Sequence, residues 1–308
     1  MKETISGSGL FLKRCTRDKE LILMAFLPVA WYLIFCYGPM YGIILAFKNF
    51  RLSRGIWGSP WTGFEHFERF FSSIYFSRVV LNTLIINVYS LVFGFPVPII
   101  FALLLNEIRF NPFKRIIQTV TYFPNFISTV IVVSMITMLF AADTGILNFT
   151  GIFNNGVNIP ITNDPAYFRL LYIGSGIWQN FGFSSVLYIA AITAIDPQLY
   201  EAARVDGASR FQNVIHITLP CMMPTIIIRL LLQLGYMFSQ DAEKILIMYS
   251  PTTYVVADVI STYVYRVGLM GVNYSFGTAV GLFNTVINFA VLIIFNTIAR
   301  RTGETSLW

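Results

Sequence analysis

The chain has 308 residues, of which 56% are hydrophobic and only 12% are charged. Because about a quarter of the residues in soluble domains are charged, this composition excludes an ordinary soluble protein and predicts one that lies in a membrane. The net charge of +6 would suit a nucleic-acid partner. Most of the basic residues flank apolar segments, however, so we attribute the charge to membrane topology and expect no nucleic-acid partner.

Six apolar segments are each long enough to cross a bilayer, which takes about 20 residues. They lie at 21–47, 79–105, 116–140, 170–195, 221–237 and 278–298. The first twenty residues are polar and basic, and no small-residue cleavage site follows a short apolar core. The first span is therefore expected to be retained rather than removed as a signal peptide. The predicted fold is an all-α polytopic membrane protein with six transmembrane helices.

Lysine and arginine positions predict the orientation of these helices. With a cytoplasmic N-terminus, the inner segments hold 12 of the 21 basic residues, at a higher density than the outer segments, as the positive-inside rule requires. Both termini and the loop at 196–220 are then cytoplasmic. The aromatic first outer loop suits either a helix in the headgroup region or an ordinary aromatic belt. The apolar stretch at 254–266 is predicted as an amphipathic helix on the outer face rather than a seventh span.

The loop at 196–220 is predicted to contain a short helix with defined ends. Asp196 is placed as its N-cap and Pro197 as its first residue. Gly207 is suited to the left-handed conformation that closes a helix. Leu199 and the small residues Ala202 and Ala203 share one face of it at i, i+3, i+4 spacing, which fits a groove in another protein.

The sequence Glu201-Ala202-Ala203, then Gly207, then Ile217-Thr218-Leu219-Pro220 resembles the coupling loop of binding-protein-dependent ABC importer permeases. In that family the loop docks on a cytoplasmic ATPase. The resemblance assigns ATPase coupling to Glu201, Ala202, Ala203, Asp206, Gly207, Arg210, Leu219 and Pro220. It divides the chain into an N-terminal tail at 1–20, a first helix with an extracellular aromatic loop at 21–74, a permease core at 75–300 and a C-terminal tail at 301–308.

Several further stretches resemble the carbohydrate branch of these permeases. They are Tyr122-Phe123-Pro124 with Phe126-Ile127-Ser128, Trp178 with Phe181-Gly182-Phe183, Ala257-Asp258-Val259-Ile260, Thr262-Tyr263-Val264-Tyr265-Arg266 and the terminal Leu307-Trp308. The last three are similar to the subgroup that imports oligosaccharides and polysaccharide fragments. The segment Ser239-Gln240-Asp241-Ala242-Glu243-Lys244 departs from the family in being more charged.

The resemblance implies partners and a location. It implies a second homologous permease subunit, two ATPase subunits that bind ATP and Mg²⁺, an extracellular solute-binding protein and an oligosaccharide substrate. It also implies a multi-pass protein of the bacterial cytoplasmic membrane. The chain itself contains no G-x-x-x-x-G-K-[ST] loop, so we expect it not to be an enzyme and to bind no cofactor.

Other classes of protein find less support. The three cysteines have no C-x-x-C spacing, and His66 and His216 are the only histidines, so no metal site is expected. No Asp or Glu lies within a predicted span, which argues against a proton-coupled secondary transporter and a membrane-embedded hydrolase. Permeases for amino acids, peptides or oxyanions remain the alternatives among importers.

Aromatic and amide side chains that face the helix bundle are candidates for a sugar path. They are Tyr122, Asn125, Trp178, Asn180, Gln233, Tyr236 and Asn284, although helix packing suits each of them as well. Asn284 shares its helix face with Gly277, Gly281 and Asn288, for which packing is the favoured role.

Arg229 is the remaining candidate. It lies nine residues beyond Pro220, or roughly 13 Å along a helix. A guanidinium at that depth costs at least about 2.5–3.5 kcal/mol against lipid, so it is expected to face a partner subunit, water or the path, unless it snorkels to the interface. Because the guanidinium fork matches a carboxylate, the sharper hypothesis is an acidic oligosaccharide such as a uronic-acid fragment.

Overall fold

The computed structural model describes residues 19–141, 145, 161–238 and 242–301. Of the tails predicted at 1–20 and 301–308, only residues 19, 20 and 301 fall within these ranges. The described part of the chain is helical, and its one β-type pairing is an isolated bridge between Lys48 and Trp61. The prediction of an all-α fold is confirmed.

The helices follow one another through short connections. In chain order they are α1 Lys19–Phe47, α2 Gly55–Gly58, α3 Glu65–Phe71, α4 Phe76–Asn106, α5 Asn111–Phe126, α6 Thr129–Phe140, α7 Pro165–Thr193, α8 Pro197–Val205, α9 Arg210–Gly235, α10 Ala242–Met248, α11 Tyr254–Ala257, α12 Ile260–Tyr263 and α13 Tyr274–Arg301. A π-helical turn, Val264–Met270, continues α12, and π-helical turns also lie within α1, α4 and α9.

Within the described residues, four helices, α1, α4, α9 and α13, are long and apolar enough to cross a membrane, and α5 with α6 forms a fifth candidate. The 29-residue helix α7 is long enough to cross a membrane but contains more polar side chains than these helices, among them Gln179 and Asn180. Four of the six predicted spans thus coincide with apolar helices, and the exact count of six stays a prediction.

The third predicted span, 116–140, is wrong as a single helix. The axes of α5 and α6 differ by 98°, because Ile127 and Ser128 are extended between them. The Ser128 hydroxyl caps α6 by accepting from Ile131 N at 3.5 Å. The freed carbonyl of Ile127 accepts from Gln179 Nε2 at 2.9 Å, so a neighbouring helix satisfies the broken backbone, as a membrane interior requires.

The predicted amphipathic helix at 254–266 is also wrong in form. Asp258 and Val259 are extended and divide it into α11 and α12. Ala257, Asp258, Val259 and Ile260 are all fully buried, so this segment packs within the protein rather than on its surface.

Three buried clusters hold the helices together. One joins α3, α4, α12 and α13 through residues such as Phe70 and Tyr263. A second joins α4, α7, α10 and α11 around Ile86 and Tyr172. A third joins α4, α7 and α9 around Tyr188. Helices α4 and α7 therefore form the centre against which the other elements pack.

The polar face of α13 is used for packing. Asn284 Nδ2 donates to the carbonyl oxygen of Phe238 at 3.1 Å, and Phe238 N donates to Asn288 Oδ1 at 2.6 Å. The Cα of Gly268 lies so close to Gly277 that a Cβ on Gly277 would be only 2.8 Å away. Gly277, Asn284 and Asn288 thus contact neighbouring segments, which agrees with the favoured packing role, whereas a Cβ on Gly281 would meet nothing within 4 Å.

Gly182 is expected to be essential for the crossing of α5 and α7. A Cβ at this position would overlap the backbone carbonyl of Thr121. Gly182→Ala should therefore lower the free energy of unfolding by about 1–3 kcal/mol. Gly174→Ala in the same helix meets nothing within 4 Å and should be neutral or stabilising by about 0.5–1 kcal/mol. Thermal unfolding of both variants in detergent tests this, and equal melting temperatures would contradict it.

Candidate functional site

Helix α8 has the ends that the sequence predicts. Asp196 Oδ1 accepts a hydrogen bond from Gln198 N at 2.9 Å, and Pro197 is the first helical residue. Gly207 has φ +79°, the left-handed conformation that ends a helix. Ala208 N then donates back to the carbonyl oxygen of Ala203 at 2.9 Å. A short rigid helix between α7 and α9 results.

One side of α8 faces outward. Ala202 and Glu201 are exposed, and Val205 is 89% exposed, whereas Ala203 is half-buried against the protein. The predicted common face of Leu199, Ala202 and Ala203 is therefore only partly available to another protein, and Val205 extends it. This side of α8 therefore presents one apolar side chain and one small side chain outward, and the resemblance to the coupling loop is what indicates docking.

A side-chain contact holds α8 against α9. The Tyr200 hydroxyl lies 2.9 Å from Thr218 Oγ1, and Thr218 is buried directly before Leu219 and Pro220. A capping box formed by Ser209 and Gln212 begins α9. Arg210 lies 3.9 Å from Glu107 at the end of α4, but both groups are well exposed, so this ion pair contributes little. The partly buried hydroxyl pair of Tyr200 and Thr218 is the firmer connection.

Helices α4, α7, α9 and α10 surround a cavity of about 320 Å³, which we call the central cavity. Its polar lining consists of Ser90, Thr129, Tyr172, Gln179, Asn180, Ser184, Tyr188, Arg229, Gln233 and Lys244. Among the described residues that line it, none is acidic. The predicted path residues Asn180, Arg229 and Gln233 are thus brought together from two helices.

The two cations of the central cavity differ in their surroundings. Lys244 is 6% exposed, and its Nζ donates to the carbonyl oxygen of Tyr172 at 3.0 Å. Gly176 leaves room for it, because a Cβ there would lie 3.3 Å from Nζ. The half-buried Arg229 guanidinium makes no hydrogen bond or ion pair with a described residue. Its five donors are free for a ligand or water.

The amide groups beside the cavity are partly fixed. Asn125 Nδ2 donates to Asn180 Oδ1 at 3.0 Å, and Asn180 Nδ2 donates to the carbonyl oxygen of Gly176 at 2.9 Å. Asn125 therefore positions Asn180 from the bend between α5 and α6. Gln179 supports the same bend, so the wall of the cavity and the kink stabilise each other.

The other predicted path residues lie elsewhere. Trp178 lines a separate apolar cavity of about 400 Å³ between α6 and α7. Tyr122 is half-buried in α5, Tyr236 is 71% exposed, and Asn284 bonds to Phe238. None of these four residues lines the central cavity.

Sequence reasoning missed Lys244 and Gln179. The unusual charge of the segment at 239–244 was a signal for Lys244, because a lysine next to an apolar run is expected either to be exposed or to be paired in a site. No feature of the sequence singled out Gln179, apart from its position next to the candidate Asn180. His66 and His216 bond to backbone carbonyls, and the described residues contain no group of three metal-ligating side chains.

A second cluster of charged side chains, separate from the central cavity, is centred on the buried Asp258. Its Oδ2 accepts from Arg266 Nη2 at 2.6 Å and lies 3.5 Å from Arg78 Nη2, while Oδ1 accepts from Thr262 at 2.9 Å. Burial alone would lower the pKa of Arg266, but the hydrogen bond to Asp258 and the negative charge of that carboxylate raise it overall. Asp258 is therefore fully engaged as a structural partner.

The chain resembles known transport proteins along its whole length. It is 39% identical to the polygalacturonan/rhamnogalacturonan transport system permease protein YteP of Bacillus subtilis (strain 168), over 96% of this chain and 92% of that protein. Protein LplB of the same organism is 38% identical over 98% and 96% of the two chains. A chain from the crystal structure of a bacterial ABC transporter that imports the acidic polysaccharide alginate is 42% identical, with a TM-score of 0.87 over 94% of this chain and 98% of that one.

Residues 77–304 match the family described as the binding-protein-dependent transport system inner membrane component. The predictions of a multi-pass protein of the cell membrane and of a transport subunit rather than an enzyme are confirmed by this match. The chain belongs to the family of binding-protein-dependent transport system inner membrane components.

Proposed function

We propose that this chain is one permease subunit of an ATP-driven importer that carries acidic oligosaccharides across the cell membrane. The observation that carries the proposal is the central cavity, which combines Arg229 and Lys244 with amide and hydroxyl groups and has no acidic side chain among its described lining residues. Carboxylates suit such a site because charge-assisted hydrogen bonds to them are about twice as strong as neutral ones.

The similar proteins support the substrate class. One relative is named for transport of polygalacturonan and rhamnogalacturonan, and the structural neighbours are described as importing alginate, an acidic polysaccharide. Lactose and arabinooligosaccharide permeases are more distant, at 27% and 23% identity. The closer similarity to transporters of acidic sugars agrees with the cations in the cavity.

The proposed complex contains four further subunits. A second, homologous permease would complete the path. Two ATPases would hold ATP and Mg²⁺, one of them seated on the exposed side of α8 within the coupling loop at 196–220. A solute-binding protein would deliver the sugar, and one structural neighbour is described in complex with a periplasmic protein carrying an alginate pentasaccharide.

The contacts within this chain suggest how ATPase closure reaches the sugar. A displacement of α8 would pass through Tyr200 to Thr218 at the base of α9. Arg229 is eleven residues further along α9, or roughly 16 Å, and Gln233 follows one turn later. Because α9 carries both residues, a shift or rotation of this helix would move the ligand groups of the central cavity. Binding and ATP hydrolysis are then coupled through one rigid element.

Gly207→Val is expected to weaken the stimulation of ATP hydrolysis by substrate. A Cβ at Gly207 meets nothing within 4 Å, so we attribute the effect to φ +79°, which a β-branched residue resists by about 1–3 kcal/mol. Gly207→Asn is the matched control, since Asn tolerates this conformation. We expect substrate-stimulated ATPase activity to fall in the Val variant and persist in the Asn variant. Equal activity of the two would contradict the role of this turn.

Copurification tests the proposed assembly. The tagged chain, produced in its own cells, should retain an untagged ATPase and a second permease through purification in mild detergent. Recovery of the chain alone under conditions where the α8 surface is intact would argue instead for a transporter that works without an ATPase.

A further inference from the structure

A third cavity lies between α4, α7 and α11, and we call it the outer cavity. It has a volume of about 660 Å³, and its lining includes Tyr89, Phe93, Arg169, Ile173, Ile177 and Val256. Ile173 and Ile177 line the central cavity as well. At 3.6 residues per turn, Arg169, Ile173 and Asn180 lie on one side of α7. The two cavities therefore follow each other along one face of that helix, with Arg169 nearer its N-terminal, predicted outer end.

Arg169 is the one charged side chain among the described residues that line the outer cavity. Its Nη2 donates to Asn82 Oδ1 at 2.9 Å. Its Nε is buried and has no hydrogen-bond partner. Because buried polar groups are nearly always hydrogen-bonded, an unpaired guanidinium nitrogen beside a cavity indicates an acceptor that this chain does not supply.

The neighbouring carboxylate does not neutralise Arg169. Asp258 is engaged by Arg266, Arg78 and Thr262. Asn82 stands between the two groups, since its Nδ2 donates to the carbonyl oxygens of Val255 and Asp258 at 2.9 and 3.1 Å. Its Oδ1 is thereby turned towards Arg169, which it holds in place without cancelling the charge.

We infer that the outer cavity binds one uronate unit of the oligosaccharide before that unit reaches the central cavity. This rests on the proposed function. Arg169 receives the carboxylate, because a guanidinium offers two parallel donors to it. Tyr89 and Phe93 are 44% and 58% exposed, with ring centroids 6.0 Å apart in an edge-to-face arrangement. Their faces are available to the apolar side of a sugar ring, as in other ligand sites.

Reactivity of a cysteine at Val256, which lines the outer cavity but is not one of the groups proposed to bind the sugar, tests the inference. The complete transport complex is prepared with Cys15, Cys36 and Cys221 replaced by Ser and with Val256→Cys. The cysteine should react about tenfold faster with an anionic than with a cationic methanethiosulfonate reagent, since a cation in a low-dielectric cleft concentrates anions. Trigalacturonate should slow the reaction. Arg169→Gln should abolish both the preference and the protection.

Arg78→Gln is the matched control, because Arg78 belongs to the same network but does not line the outer cavity. It should leave the reagent preference and the protection intact. Failure of charged reagents to reach the cysteine, as expected if lipid or the second permease fills the cavity, would overturn the inference. So would an unchanged preference in Arg169→Gln. ATP-driven uptake of trigalacturonate by the parent complex is measured separately. If trigalacturonate does not protect the cysteine of the parent complex although uptake is normal, this inference alone is rejected, whereas absent uptake rejects the proposed function.

Discussion

Ala202→Asp is expected to abolish substrate-stimulated ATPase activity in the assembled complex. Ala202 is exposed on α8 beside Val205, which is 89% exposed. If this side of α8 enters a groove of the ATPase, the new carboxylate would be buried without a partner. Such burial costs several kcal/mol, which corresponds to a loss of docking of at least about a hundredfold. ATPase stimulation and the amount of copurified ATPase measure the effect.

Ala202→Ser is the control, because it keeps a small side chain and should retain most of the activity. The Asp variant should still insert and fold, since the side chain of Ala202 is exposed within this chain. Full ATPase stimulation in Ala202→Asp would show that the ATPase docks elsewhere.

Arg229→Gln is expected to reduce uptake of acidic oligosaccharides about 10- to 100-fold, the value of a hydrogen bond to a charged group. Its guanidinium lines the central cavity and makes no hydrogen bond or ion pair with a described residue. Uptake of a carboxyl-reduced oligosaccharide of equal length should change little. Arg229→Lys should have intermediate selectivity, because it keeps the charge and loses the two-point geometry. The measurement is the ratio of the uptake rate of the acidic oligosaccharide to that of the carboxyl-reduced one. All variants are assayed with the same binding protein, so its own preference between the two sugars does not affect the comparison between variants.

Arg115→Gln provides a control for loss of a positive charge, since Arg115 is exposed in α5 and does not line the central cavity. It should leave the ratio unchanged. Equal loss of charged and neutral uptake in Arg229→Gln would identify Arg229 as a structural residue.

Local chemistry made α8 predictable. Its N-cap, first proline and closing glycine act within one or two turns of the residues that they cap, so Asp196, Pro197 and Gly207 could be placed from sequence. Long apolar segments likewise predicted four helices that can cross a membrane. The bend of 98° between α5 and α6 was not predictable in this way. It depends on Gln179, 52 residues from the carbonyl that it satisfies.

The candidate site was only partly predictable for the same reason. Arg229 was conspicuous because a guanidinium in an apolar helix needs an explanation. Lys244 lies outside every predicted span, and its position depends on Tyr172, 72 residues away. Trp178 and Asn180 are two residues apart on one helix but line different cavities. A composition-based choice of aromatic and amide residues does not determine which face of α7 each of them occupies.

Uptake into proteoliposomes that contain the complete wild-type complex tests the central claim most directly. Labelled trigalacturonate and its carboxyl-reduced counterpart are supplied with the solute-binding protein outside and ATP inside. We expect ATP-dependent accumulation of trigalacturonate at a rate about tenfold or more above that of the neutral sugar, the factor expected from one charge-assisted hydrogen bond. Equal rates for the two sugars, or accumulation of neither, would contradict an importer of acidic oligosaccharides.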